Sequence, residues 1–561
     1  MNSRPAALIV PAAALSLLLI LPPPAPAQDA DDLVFSAMRS EMDRSLRRLG
    51  LEGSGPPYHL LYRLTDRRTR ALSATLGALT DERSEDSRTL YVEVRVGSPE
   101  LDNTTLGARG QSSPVPMDAS AMRQALWLLT DEAYKSALAG FLEKKARKAV
   151  ERDLEDAADF SPEEPRRHRQ PSPPPEDIGP WKEYVRALSA ELKAHADIYG
   201  SNVSLHLPWS RRFLLTSEGT EIASPRENMP VRLMVSGWTR SEDGMLLSSG
   251  RTWQSTSTAA LPPLEEAKRE LRAWALDLLA DRAASLQEPV SVPALIDPEM
   301  AGVLFHEALG HKLEGQRQRD PDQSHLFRGR AGELILPDFL SLIDDPTLAD
   351  FNGIPTHGHY LHDDEGVAAR RVILVERGVL KGFLMSRWPI PGFARSNGHG
   401  RSEPDEHPSG RMSNLILEAH ERRPLPELKR RLMELCQKKG LPYGLRLLGS
   451  GGGENPTGRG AAQTLEVKPK RLFRVDARTG EETPARGVKL VGTPLVLLNR
   501  VVAAGDDAAI FNQYLCNAES GWVPVSQIAP SLLLSEAEFQ RLPEKRARRP
   551  ILPSPLHDDG R

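Results

Sequence analysis

Phe305-His306-Glu307-Ala308-Leu309-Gly310-His311-Lys312-Leu313-Glu314 places two imidazoles and a carboxylate within six residues, inside a segment that otherwise reads as the interior of an apolar helix. The helix has good starting signals. Asp297 is suited to cap it, Pro298 fits the first helical position because its missing N–H would be unpaired there anyway, and Glu299 favours the positive end of the helix dipole. Met300, Val303, Leu304 and Leu309 follow in a nearly uncharged run, which predicts a helix buried on most sides. Ionisable side chains in that setting are costly unless paired or bound to a metal. Around this helix the remainder of the chain reads as an α+β protein.

The histidine spacing restricts what the helix can do. His306 and His311 are five apart, and on an ideal helix such positions diverge by roughly 140°. Both rings reach one ion only if the turn is widened, as in a π-bulge, or if the helix unwinds near Gly310. The alternative reading is a pair of satisfied core histidines with Glu307 on the helix surface. A catalytic zinc site takes three protein ligands and leaves a fourth position for water. Glu314 and His325 are nearby candidates for the third ligand, and Cys516, within Gln513-Tyr514-Leu515-Cys516-Asn517, is a distant one. The chain has only two cysteines, Cys436 and Cys516, so a disulfide between them, or two small buried hydrophobes, are the competing readings.

Further segments occur in a recognisable order: Asp363-Asp364-Glu365-Gly366, Gly378-Val379-Leu380-Lys381-Gly382, Gly400-Arg401, Arg411-Met412-Ser413-Asn414, the Gly451-Gly452-Gly453 run, and Cys516 followed by Pro524-Val525. Together with the His306–Gly315 stretch they resemble the TldD/PmbA metallopeptidases, specifically the TldD-type member that carries the metal motif. The resemblance is clear over about residues 289–535 and faint over 30–288. It implies Zn2+ held by His306, His311 and Cys516, with Glu307 as the catalytic carboxylate and general base. It also implies cleavage of unstructured peptides or unfolded polypeptide segments with little sequence preference. Family members assemble as dimers around an enclosed cavity, so the resemblance implies a homodimer or a heterodimer with a family member. Gln316, where the family commonly has an acidic residue, and Tyr514-Leu515, where a glycine is more usual, depart from the pattern near the cleft. Two other functions stay open: a non-catalytic partner subunit of such a complex, and a cysteine hydrolase using Cys516 as nucleophile.

From the N-terminus, residues 1–27 read as a signal peptide. Arg4 is followed by an apolar core from Ala7 to Leu21 and the small-residue site Ala25-Pro26-Ala27. An exported protein, periplasmic or secreted, is expected, with no stable membrane span after removal. The net charge of -4 with interspersed signs gives no pull toward nucleic acid. Residues 28–288 are expected to form an N-terminal α+β domain of mixed α/β character. Leu90, Val92, Val94 and Val96 alternate as in a half-buried strand, a helix follows Asp118, and a Pro-rich exposed loop covers about 156–180. Beyond it the pattern predicts a helix from Trp181 to Tyr199, strands near 202–208, 211–216, 230–238 and 245–255, and a helix from Leu264 to Leu286. Residues 289–535 are expected to form a mainly antiparallel β domain carrying the metal-binding helix, and 536–561 a polar tail. Asp363-Asp364-Glu365-Gly366 with His357, His359 and His362 reads as a turn, with a second metal cluster as the alternative. Gly449 to Gly453 lacks the context of a phosphate loop; glycines there allow close approach of another backbone, or simply a turn.

Overall fold

The alternating stretch at Leu90–Val96 belongs to a strand much longer than its pattern marks: Ala78–Arg95 pairs antiparallel with His59–Thr75 along its length. The computed structural model describes residues 30–557 except 52–53, 105–109, 151–156, 226–229, 321–322, 324, 456–457, 459–463 and 544–545, so the expected signal peptide lies outside the described residues. The helices Ala30–Arg48 and Ala119–Val150 bury Phe35, Met38, Leu126 and Tyr134 with Leu60, Tyr62 and Val92 of the sheet. Trp181–Ala190 and Leu264–Ala283 form a second layer around Leu188, Leu205, Leu233 and Trp274.

Two expectations for this region are corrected. Gly200–Thr216 is one continuous strand, where two were expected, near 202–208 and 211–216. Its second neighbour changes along its length: Gly200–His206 pairs with Val231–Arg240, and Arg211–Leu215 with Glu221–Pro225. Pro208 falls in the interval between these pairings, where its missing N–H breaks no ladder on that side. The Pro-rich segment is not loop throughout. Arg167–Arg169 adds to Glu221–Pro225 as a short parallel strand, and Arg169 is paired with Asp32 and Glu221.

The second half of the chain builds two further sheets. One runs Ser285–Leu286, Glu482–Arg486, Leu465–Asp476, Tyr443–Glu454, Val290–Ile296, Leu532–Arg541, Val488–Gly492. The strand Leu532–Arg541 carries the sheet to residue 541, past the expected start of a polar tail, because Ala537 and Phe539 are buried in the core. The other sheet runs Val379–Leu380, Val372–Glu376, Leu340–Asp344, Asn414–Ala419, Gly521–Ala529, Ala509–Ala518. Pairing is antiparallel except where Val290–Ile296 meets Tyr443–Glu454, Asn414–Ala419 meets Gly521–Ala529, and Ser285–Leu286 meets Glu482–Arg486. The motif helix, Pro298–Phe305, packs between the two sheets, against Tyr443–Glu454 on one and both strands of the cysteine hairpin on the other. Its Met300, Val303, Leu304 and Phe305 are buried in the common core. No helix among the described residues is long and apolar enough to cross a membrane.

Candidate metal centre

The motif helix starts as its sequence dictates. The Asp297 carboxylate accepts from the Met300 N–H at 2.9 Å, and Pro298 occupies the first turn. At His306 the regular helix gives way to a π turn, His306–Gly310, and then to a short 3₁₀ turn, His311–Leu313. The widened turn closes the angle that five-residue spacing would otherwise open, and the two rings stand 4.9 Å apart at 89°. Gly310 is not a point of unwinding, since its backbone stays helical at φ -48°, ψ -58°. A glycine is required there for space: a Cβ would lie 2.0 Å from the Met412 sulfur.

Cys516 arrives from the antiparallel hairpin Ala509–Ala518/Gly521–Ala529. A register break between Gln513 and Cys516 interrupts this pairing, the kind of irregularity that re-aims a side chain. Its Sγ lies 3.1 Å from His306 Nε2 and 3.4 Å from His311 Nε2. Potential ligand atoms of the three residues all fall within 4.8 Å of one another, and among the described residues no other group of His, Cys, Asp or Glu does the same. The disulfide reading fails, because both cysteines are free and Cys436 is buried in a separate cluster with Leu428 and Leu432. His325 is turned to the Asp320 carbonyl. Glu314 stands one step back from the ligand atoms.

The outer nitrogens of both rings are engaged. Glu314 Oε1 lies 3.1 Å from His311 Nδ1, and the Gln527 amide lies 3.0 Å from His306 Nδ1. The Gln527 contact is made by its amide nitrogen, and these two side chains hold the rings from behind so that both Nε2 atoms point at the sulfur, the supported arrangement typical of metal-binding imidazoles. Glu314 is fully buried and receives Arg317 at 2.7 Å and Arg411 at 3.3 Å. Burial alone would raise its pKa, but Arg317, His311 and Arg411 hold it at about 2. Arg317 also forks onto Glu519 at 2.5 and 2.6 Å, and Arg411 reaches the Cys516 carbonyl at 2.8 Å and its sulfur at 3.4 Å. Burial opposes ionisation of the Cys516 thiol as well, yet His311, His306 and Arg411 together bring it well below the usual thiol range. A buried thiolate with two oriented imidazoles is a donor set that fits a divalent metal.

Glu307 faces the same cleft of about 590 Å³, which is also lined by Arg317, Gly453, Asn455, Cys516 and Trp522. Burial raises its pKa above that of a free glutamate, with His306 and His311 opposing. Asn455 donates to its backbone carbonyl at 2.8 Å. The glycine-rich stretch is part of the strand Tyr443–Glu454, and the group it admits closely is the Glu307 side chain: a Cβ on Gly453 would lie 2.7 Å from Glu307 Cγ. Sequence reasoning did not single out Gln527, Arg317, Arg411, Glu519 or Asn455 individually. Of these, Arg411 and Glu519 lay in segments with a visible motif, as did Gly453.

The Asp363–Gly366 segment is a buried turn. Asp363 accepts from the N–H groups of Glu365, Val367 and Gly400, Asp364 pairs with Arg212 at 2.7 Å, and Glu365 accepts from the Arg387 N–H at 2.7 Å. Burial, reinforced by Asp364, lifts Asp363 to about 7. His359 is directed to the Pro346 carbonyl and does not join these carboxylates in a ligand group.

Residues 289–541 match the PmbA/TldA metallopeptidase C-terminal domain. This segment, residues 289–541, is a domain of the TldD/PmbA type. A metalloprotease of Methanothermobacter thermautotrophicus is 32% identical over 242 residues, 43% of this chain and 48% of that protein. A zinc metalloprotease TldD homolog of Saccharolobus solfataricus is 25% identical over 247 residues, 43% of this chain and 49% of that protein. The chain thus spans about half the length of the curated TldD/PmbA relatives it matches. TldE from Thermococcus kodakarensis has the same fold over both halves, with a TM-score of 0.58 at 14% identity, covering 90% of this chain and all of that one.

Proposed function

We propose that this chain is a zinc-dependent peptidase that hydrolyses unstructured peptides or unfolded polypeptide segments, with Glu307 as general base. The observation that carries the reading is the convergence of His306, His311 and Cys516 on one point beside the buried Glu307. These three residues would hold the ion. When bound, zinc supplies a Lewis acid and a water of lowered pKa. The ligand set remains spatially intact because Glu314 and Gln527 fix the two rings from behind and Arg411 anchors the cysteine strand. Glu307, whose proton affinity is raised by burial, accepts a proton from the attacking water and delivers it to the leaving amine nitrogen. Names of TldD relatives as metalloproteases, and of one as a zinc metalloprotease, support the same assignment.

The apolar run at the N-terminus supports export to the periplasm or beyond, and the likeness to TldE supports pairing with a second family member or a second copy. The intact ligand set argues against a purely non-catalytic partner subunit.

A second reading has one observation in its favour. Cys516 Sγ at 3.1 Å from His306 Nε2 is also the geometry of an activated cysteine nucleophile. Purified full-length protein separates the two. On the zinc reading, metal content approaches one ion per chain, chelator abolishes cleavage of an unfolded peptide, and Glu307→Gln keeps the metal while losing turnover. Cleavage that survives chelation and is stopped by thiol alkylation would overturn it.

A further inference from the structure

A second cleft, of about 680 Å³, opens between the N-terminal sheet and the glycine-rich strand Tyr443–Glu454. Strand register builds its wall. Gly200, Trp238 and Ser248 stand in one cross-strand row, and Asn202, Ser236 and Gly250 in the next. Five of these six residues are Gly, Ser or Asn, whereas a strand face of this kind ordinarily carries β-branched or aromatic side chains. The wall therefore offers hydroxyls, an amide and accessible backbone. Trp238 is the exception, 39% exposed and laid against Gly200, where a Cβ would lie 2.3 Å from the indole nitrogen. Gly451 and Lys470 form the opposite side, and the ammonium of Lys470 is paired with Glu299 at 2.7 Å. No charge on these walls selects a charged ligand.

Two strands lead from this cleft to the metal centre. Gly451 lines it, and Gly453, two residues further along the same strand, lines the cleft of Glu307. The cysteine strand covers the same interval: Gln254 of the N-terminal sheet donates to the Asn512 carbonyl at 3.2 Å, Lys470 stands 5.7 Å from the Phe511 ring, and Leu515 and Cys516 line the catalytic cleft. The step crosses a bulge in the strand, with Gly452 at φ 111°, so the extended rise of about 3.3 Å per residue sets an upper limit of roughly 7 Å between the two glycines. A bound peptide that reaches the one cleft is within a few residues of the other.

We propose that this cleft is a remote subsite for the polypeptide whose scissile bond lies at Glu307, an inference that rests on the peptidase reading. The occupant is an extended segment of that same chain. Serine hydroxyls and the Asn202 amide recognise main-chain groups, which every sequence offers, and Trp238 gives an apolar platform for one side chain. Binding made away from the reacting bond lets a site with few side-chain demands hold a long flexible substrate.

The test uses full-length Glu307→Gln protein, metal-loaded and unable to cut, titrated with fluorescently labelled unstructured peptides of four and of fourteen residues. Anisotropy gives Kd for each. The fourteen-residue peptide is expected to bind at least ten-fold more tightly than the four-residue one. Ser236→Trp or Ser248→Trp, each filling the cleft from an exposed position, is expected to remove that gain and leave the short peptide unchanged. Trp238→Ala is expected to remove part of it, most for peptides carrying an apolar residue away from the scissile bond. Equal binding of both lengths, or a full length gain in both tryptophan variants, overturns the subsite. Length-dependent binding by a wild-type protein that never cleaves overturns the peptidase reading alone; cleavage with no length dependence overturns the subsite alone.

Discussion

Gly453 and Glu307 approach so closely that a methyl group on the glycine would lie 2.7 Å from Glu307 Cγ and 3.0 Å from Val303 Cγ1. The glycine thereby sets where the carboxylate rests. Gly453→Ala displaces it, and displacement of a reacting group by about 1 Å lowers rate by about a hundred-fold. The three proposed ligands, His306, His311 and Cys516, are not among the atoms that the added methyl group meets. The expected outcome is a turnover number lower by one to two orders of magnitude with metal content per chain unchanged, read from peptide hydrolysis and elemental analysis on the same preparation.

Glu314 holds His311 Nδ1 from a fully buried position and is itself held by Arg317 and Arg411. Glu314→Gln retains an oxygen for the imidazole N–H but removes the charge that balances two guanidinium groups. Loss of such a supporting partner typically weakens metal binding by about ten- to a hundred-fold. A competition titration with a chromophoric chelator measures it, and affinity equal to wild type would show that Glu314 merely fills space.

How far the sequence discloses this arrangement depends on what each residue must do alone. His306, Glu307 and His311 are legible because their spacing poses a geometric problem that the π turn answers within the same helix. Cys516 is different, since 210 residues separate it from His306 and only the resemblance to a family raised it above Glu314 and His325. Gln527 and Arg317 carry no local pattern; their roles exist only once hairpin and helix are packed together. The same limit governs the fold. The continuity of Gly200–Thr216 through Pro208 depends on which strands flank it, and the strand reaching Arg541 depends on a core waiting for Phe539.

Glu365 is a buried carboxyl whose pKa is raised well above 4.5, first by burial and then by Asp363, with Arg387 opposing. A carboxyl raised on folding contributes most stability below its unfolded pKa and loses that contribution as pH rises through its folded value. Glu365→Gln carries no proton to lose. Its melting temperature is expected to fall less between pH 5 and pH 8 than that of the wild type, measured by scanning calorimetry. A variant whose pH profile runs parallel to the wild type's would remove Glu365 as a source of that dependence.

Arg411 ties the cysteine strand to the turn that follows it. Its guanidinium donates to the Cys516 carbonyl at 2.8 Å, to Ser520 Oγ at 2.9 Å and to the Gly521 carbonyl at 2.8 Å, while Nε lies 3.3 Å from Glu314. A planar fork makes these bonds in fixed directions, and an ammonium on a flexible stem cannot reproduce them although it keeps the charge. Arg411→Lys is therefore expected to loosen Cys516 without removing a ligand. Metal affinity should fall by about ten-fold or more, and the absorption of the cobalt-substituted protein in the thiolate charge-transfer region should weaken or shift. Cys516→Ser should lose that absorption altogether. If Arg411→Lys leaves both affinity and spectrum at wild-type values, charge alone accounts for the arginine, and the position of the sulfur is set by the hairpin backbone.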